Sequence, residues 1–291
     1  MGNMEISALK AFLAVTIEGS FSRAAQRLFI TQPAVSKRIA ALESELGVRL
    51  FDREGRKIRL TEAGRMLLPH AREIVHHAEH TRELLTALSG SVAGVLKMAS
   101  SHHIGLHRLP PHLKRYARQY PQVELNLHFL DSETACRRVG AGDLELALAT
   151  LPETLADGLV MDVVWEDPLC IVIAREHDDD LDALLRRDAI LPPRATWTRR
   201  LIDRSFEQAG IEVHTLIETN NLETIRRMVE IGLGWSVLPA TMLSPALREV
   251  AAPLTLHRRL GIIHHRRRSI GNAATAMIEL LKQKREPKLP G

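Results

Sequence analysis

"SFSRAAQRLFITQPAVSKRIAALESELGVRLF", running from Ser20 to Phe51, decides how the rest of the chain is read. Ser20 is a capping residue ahead of a short helix reaching about Leu28. Ala24 and Ala25 are small enough to let another helix cross closely. Thr31 stands where a second cap is expected. Pro33 falls in the first turn of the next helix, where its missing N–H costs little. Val35, Ile39, Leu42 and Leu46 then recur at helical spacing and predict a buried stripe. The opposite face opens with Gln32, Ser36 and Lys37. Gln pairs with adenine and Lys with guanine, while Ser and helix-end amides take phosphate. Two short helices joined by the tight "FIT" turn predict a helix-turn-helix. "VRLFDREGRKIRLTEAG" adds a two-stranded basic wing carrying Arg53, Arg56 and Lys57, suited to the phosphate backbone. Ser22, early in the first of the two helices, is a further candidate contact.

Upstream, "ISALKAFLAVTIEGS" reads as a helix with Leu9, Phe12, Leu13 and Thr16 on one side and Gly19 as its stop. Downstream, Leu67, Ala71, Ile74, Ala78, Thr81, Leu85 and Leu88 alternate spacings of four and three. Such a heptad seam on an otherwise polar helix needs a partner helix and implies a dimer. Pro69 lies inside this helix and predicts a kink. His76, His77 and His80 lie on it too, as a metal cluster or, more blandly, as a solvated face.

Charge is uneven. Ser20–Arg65 holds ten Lys or Arg against five Asp or Glu, and Ser91–Leu256 holds 17 against 23. A basic head before an acidic middle puts the polyanion partner at one end. His257–Gly291 is basic again, nine against two, and reads as solvated surface. No long apolar run predicts a membrane span, and "MGNMEISALK" lacks a signal-peptide pattern. Two cysteines, Cys136 and Cys170, argue against a disulfide framework and fit a cytoplasmic setting.

The N-terminal features resemble the DNA-binding domain of LysR-type transcriptional regulators. The match runs through Phe12, Gly19-Ser20-Phe21, Ala24-Ala25, Leu28, Gln32-Pro33-Ala34-Val35-Ser36, Ile39, Leu42-Glu43, Leu46-Gly47, Leu50-Phe51, Arg53 and Leu60-Thr61. The resemblance implies that Thr31, Gln32, Pro33, Ser36 and Lys37 face bases or adjacent phosphates. At Lys37 the family often has arginine, and lysine keeps the charge but loses the planar fork.

From Val95 the period changes to strand–helix alternation, which predicts a mostly parallel α/β sheet in two sets. "LPPHLKRYARQYPQVEL", "GDLELAL" and "VEIGLGWSVLP" resemble the family's effector domain, of periplasmic-binding-protein type. The expected fold class is therefore α/β multi-domain. A winged helix-turn-helix covers 1–62, a linker and dimerisation helix 63–92, and an effector domain 93–291. The last divides into subdomains at about 93–164 with 263–291, and 165–262. The resemblance further implies double-stranded promoter DNA as partner, a homo-oligomer (commonly a tetramer), a small-molecule inducer in the cleft, and RNA polymerase as a candidate partner. No resident cofactor is expected.

Ligands of open α/β sheets meet strand carboxyl ends and helix N-termini. That points to Ser100 and Ser101 after the first strand, with His102 and His103 beside them as donors to an anion. Thr150 ends another strand, Thr196, Trp197, Thr198 and Arg199 open a helix, and Asn220 follows a strand. The competing reading is that these hydroxyls only cap helices. His103 and His107, four apart, raise a metal-responsive alternative, and the two cysteines a redox-responsive one. No GxSxG elbow, P-loop or HExxH motif is present, so no catalytic residue is assigned.

Overall fold

The computed structural model describes residues 4–54, 57–87, 92–266, 268 and 270–283. It divides into an N-terminal and a C-terminal unit, the latter beginning at Val92.

In the N-terminal unit, α1 (Ile6–Glu18), α2 (Phe21–Arg27) and α3 (Gln32–Leu46) surround a core of Leu9, Phe12, Val15, Phe21, Val35, Ile39 and Leu42. Ser20 caps α2, accepting the Arg23 N–H at 3.4 Å. Thr31 makes no such side-chain bond ahead of α3. Pro33 has already removed one amide that would need capping. Leu46, expected in the stripe, is 38% exposed. It is the last residue of α3, beyond the reach of the neighbouring helices. Strands β1 (Phe51–Glu54) and β2 (Lys57–Leu60) pair antiparallel as the wing. The wing is anchored to α3 by the Glu43 carboxylate, which accepts the Leu50 and Phe51 N–H groups at 2.7 and 3.3 Å.

Helix α4 (Glu62–Ala87) continues through Pro69. Thr61 starts it, its hydroxyl accepting the Gly64 N–H at 3.0 Å. A Cβ on Gly64 would stand 2.3 Å from the Leu50 carbonyl oxygen, so helix and wing approach closely only with glycine there. Leu67, Leu68, Ala71 and Val75 pack on the helix-turn-helix core. This corrects the expected seam. Leu67 and Ala71 are consumed within the chain, because the first turns of α4 complete the bundle. Ile74 and Thr81 remain exposed, and Leu88 lies outside the described residues.

The C-terminal unit runs β3 (Gly94–Ser100), α5 (His102–His107), α6 (Pro110–Gln119), β4 (Val123–Phe129), α7 (Ser132–Ala141), β5 (Leu146–Thr150) and β6 (Leu159–Ala174). It continues with α8 (Leu181–Leu185), β7 (Ala189–Leu191), α9 (Trp197–Gln208), β8 (Thr215–Glu218), α10 (Leu222–Glu230), β9 (Ser236–Pro239), β10 (Leu247–Val250), β11 (Leu256–His265) and α11 (Asn272–Lys282). The sheet is mixed rather than mostly parallel. Pairing is parallel for β3 with β4, β3 with β5, and β7 with β8. The long strands β6 and β11 pair antiparallel over most of their length.

Those two strands pass through both lobes of the unit. The first lobe packs β3–β5, α5–α7 and α11 around Leu96, Met98, Leu148, Ile262 and Met277, with a second cluster about Val139 and Ala147. The second lobe packs α8–α10 and β7–β10 around Ile173, Ile202, Phe206, Trp235 and Ile225. The boundaries expected near 164/165 and 262/263 fall inside β6 and β11. The lobes are thus joined by continuous strand at both points.

The register of β6 and β11 shifts between Leu260 and Gly261. A Cβ on Gly261 would lie 2.0 Å from the Asp162 carbonyl oxygen, which is main chain and cannot rotate aside. Gly261→Ala is expected to destabilise the C-terminal unit by about 1–3 kcal/mol. A shift of its urea midpoint to lower denaturant checks this, and an unchanged midpoint would contradict it.

Candidate ligand cavity and nucleic-acid interface

The first turns of α2 and α3 bring Ser22, Thr31, Gln32, Pro33 and Lys37 to the exposed surface of the N-terminal unit, with Ser36 half-buried beside them. Gln32 Nε2 donates to Ser36 Oγ at 2.9 Å, so the two polar groups are held together. The turn before α3 is tight: Phe29 has φ +54° and is 95% exposed. Arg53 and Lys57 lie on the wing strands, but their side chains, and Arg56 altogether, lie outside the described residues.

In the C-terminal unit a cavity of ≈ 40 Å³ lies where the two lobes meet, and elements of both line it. Most of the wall follows one local rule: a strand ends, a polar residue turns the chain, and a helix begins. The first lobe contributes Ser101, His102 and His103 after β3, Asp131 and Glu133 after β4, and Thr150 from the end of β5. The second contributes Thr196 and Thr198 at the start of α9 and Asn220 before α10. Arg258 projects from β11.

Seven of the ten residues expected from sequence therefore line one cavity. Three do not: Ser100, Trp197 and Arg199. Ser100 is fully buried and donates to the Ser101 carbonyl at 3.1 Å. Trp197 lines a neighbouring groove with Cys136, Leu155 and Arg200. Some of the capping is real: Thr196 Oγ1 accepts the Arg199 N–H at 3.2 Å. Arg199 is buried with partners on every nitrogen: Asp203, Pro192 O, Glu218 and Thr215. It is structural.

The polar floor of the cavity was missed in the sequence. Asp167 on β6 is fully buried and stands opposite Arg258 in the strand register. Arg258 Nε donates to Asp167 Oδ2 at 2.7 Å, and Arg108 Nη2 to Oδ1 at 3.3 Å. Arg258 Nη1 donates to Thr198 Oγ1 at 3.1 Å. Its Nη2 has no hydrogen-bond partner although the residue is 4% exposed. Burial opposes ionisation of Asp167, but the adjoining His103 and Arg258 outweigh it and hold the carboxyl well below the usual range.

His103 is buried, with Nε2 3.8 Å from Asp167 Oδ2, an electrostatic contact too long for a hydrogen bond. Its ring lies 4.9 Å from that of His107, which meets Glu223 of α10 at 2.8 Å. Among the described residues no three His, Cys, Asp or Glu side chains converge as a metal site would require. Burial lowers the His103 value; Asp167 raises it, while Arg258 and His107 lower it. The folded value thus lies below the ordinary ~6.5. The stability this neutral ring contributes is held above that pH and lost as pH falls through it. His112, half-buried beside Trp165, shifts the same way. His103→Asn is therefore expected to lose less thermal stability than the parent between about pH 7.5 and 5.5. Equal losses would contradict this.

Further polar contacts join the lobes at the cavity lip. Asn220 Nδ2 donates to Asp131 Oδ1 at 2.6 Å, and the Trp197 N–H to Glu133 Oε1 at 2.5 Å. Arg204 pairs with Glu153 farther out. Cys136 and Cys170 are free and buried in separate apolar clusters. Burial raises the Cys136 thiol and pushes Cys170 up to about 12.

Residues 6–65 match the family model "Bacterial regulatory helix-turn-helix protein, lysR family", and residues 89–286 match "LysR substrate binding domain". The chain is 63% identical over 108 residues to an uncharacterized HTH-type transcriptional regulator of Azotobacter vinelandii, covering 37% of this chain and 75% of that one. It is 32% identical over 237 residues to a probable RuBisCO transcriptional regulator of Cyanidioschyzon merolae, covering 78% of each. In fold it resembles a full-length OxyR variant from Pseudomonas aeruginosa, with TM-score 0.76, 24% identity, and coverage of 97% and 96% of the two chains.

Proposed function

Because the chain belongs to the LysR family of transcriptional regulators, we propose that a small anionic metabolite bound between the lobes controls how it holds promoter DNA. One observation carries this reading: strand ends and helix starts from both lobes converge on one cavity with a buried arginine at its floor. Ser101, His103, Thr150, Thr198, Asn220 and Arg258 are the proposed contacts. A ligand touching both lobes stabilises their closed arrangement by its differential affinity for that state.

At the other end, Ser22, Thr31, Gln32, Pro33, Ser36 and Lys37 would meet the major groove and flanking phosphates. Arg53, Arg56 and Lys57 would hold the backbone from the wing. Pairing of two chains through the later turns of α4, about Ile74, Ala78 and Thr81, would set two reading helices on a pseudo-palindromic site. Higher assembly to a tetramer and contact with RNA polymerase belong to the same reading. The small-molecule reading is favoured over a redox one because both thiols are buried and pushed away from the reactive thiolate.

The test uses the full chain. A metabolite library is screened by thermal shift, and each hit is then added to a promoter duplex titration at several salt concentrations. The expected result is a hit that stabilises the parent, loses that effect in Ser101→Ala, and changes operator affinity. Hits indifferent to Ser101→Ala, or an operator affinity no hit alters, would overturn the reading.

A further inference from the structure

Resting on the reading of the cavity as the effector site, we propose the ligand's class: a compact monocarboxylate carrying a hydroxyl or ammonium beside its carboxylate. The carboxylate takes the unpartnered N–H of Arg258, and the second group donates to the lip, a hydroxyl to either Asp131 or Glu133 and an ammonium to both.

The floor sets the first half. A guanidinium N–H buried without an acceptor is costly. Arg258 carries one at Nη2, while its other nitrogens are committed to Asp167 and Thr198. Asp167 is shared between Arg258 and Arg108, so the three groups together carry one net positive charge. With His103 neutral, one negative charge on the ligand balances the floor.

The lip sets the second half. Asp131 and Glu133 both line the cavity, and each accepts one hydrogen bond from the second lobe. Among the described residues neither has a cationic partner. A carboxylate oxygen accepts more than one hydrogen bond, so both retain capacity for a donor. They are also two negative charges facing any ligand that reaches them. A second carboxylate on the ligand would meet repulsion there, and a purely apolar tail would leave them unanswered. The cavity measures only ≈ 40 Å³, which suits a compact group at the Arg258 floor.

Propionate, lactate, alanine and malonate share one chain length and separate these features. Each is titrated calorimetrically into the full-length protein. Lactate or alanine is expected to bind at least about tenfold tighter than propionate, the factor one charge-assisted hydrogen bond contributes. Malonate is expected to bind more weakly than whichever of the two is preferred. Arg258→Lys keeps the charge but loses the fork, and should weaken the preferred probe. Glu133→Gln removes one negative charge from the lip without touching the buried floor. It should narrow the gap between the preferred probe and malonate.

Malonate or propionate binding tightest, no probe binding at all, or an unchanged gap between the preferred probe and malonate in Glu133→Gln would overturn the assignment. These failures differ from failure of the underlying reading. If a library compound of another class still binds and depends on Ser101, the effector cavity stands and only the ligand class falls.

Discussion

Gln32→Ala should weaken binding to the promoter duplex by roughly 5- to 150-fold, the span of one bidentate base contact. The side chain is exposed on the first turn of α3 and held to Ser36 Oγ at 2.9 Å, so little is lost in ordering it on DNA. Lys37→Ala should act differently. A lysine on phosphate weakens all sequences alike and lowers the slope of log affinity against log salt by about one. A lysine reading guanine relaxes preference at one base pair instead. Both variants should unfold at the parent's temperature, because neither side chain is part of the core. Fluorescence anisotropy on operator and scrambled duplexes separates the cases. Parental affinity in both variants would remove the first turn of α3 from the interface.

Asp167→Ala is the second large effect, expected at about 3–5 kcal/mol of stability in the C-terminal unit. The carboxylate is fully buried and serves Arg258 and Arg108, so removing it leaves two guanidinium groups without their counter-charge. The pH dependence follows from the depressed value. Asp167 contributes stability above the unfolded carboxyl value of about 3.9 and loses it as pH falls toward the folded one. The gap between parent and variant should stay level from neutral pH to about pH 5 and shrink below about pH 4. Urea unfolding across that range measures it. A gap that widens in acid would contradict the charge assignment.

The helix-turn-helix and wing were legible because local signals agree: a serine cap, an early proline, an apolar stripe and a two-residue strand alternation. The crossing strands were not. The first half of β11, "LHRR", reads as basic surface, yet Leu256, Arg258, Leu260 and Ile262 are all buried while His257 and Arg259 are exposed. That two-residue period was the available signal for Arg258. Asp167 precedes Pro168 in "WEDPLC" and looks like a strand boundary, although β6 runs straight through it. Its burial comes from pairing with Arg258, 91 residues away, which no local pattern encodes. The expected α4 seam failed at Leu67 and Ala71 because periodicity marks an apolar face without naming what covers it.

The two lobes of the C-terminal unit keep separate apolar clusters, and among the described residues Trp197 alone of the second lobe's hydrophobics packs against those of the first. Their mutual position therefore depends on two strands and a few polar contacts, and an exposed ion pair such as Arg204–Glu153 adds little to it. On the proposed effector reading, an open–closed equilibrium of the lobes would then sit within reach of a weak perturbation. Swinging such an equilibrium from one per cent closed to ninety-nine takes about 5.5 kcal/mol of differential binding, which a single well-paired small molecule supplies. A shared hydrophobic core would have raised that threshold beyond any metabolite present at ordinary cellular concentration. On the proposed effector reading, the division of the core would let concentration act as a signal.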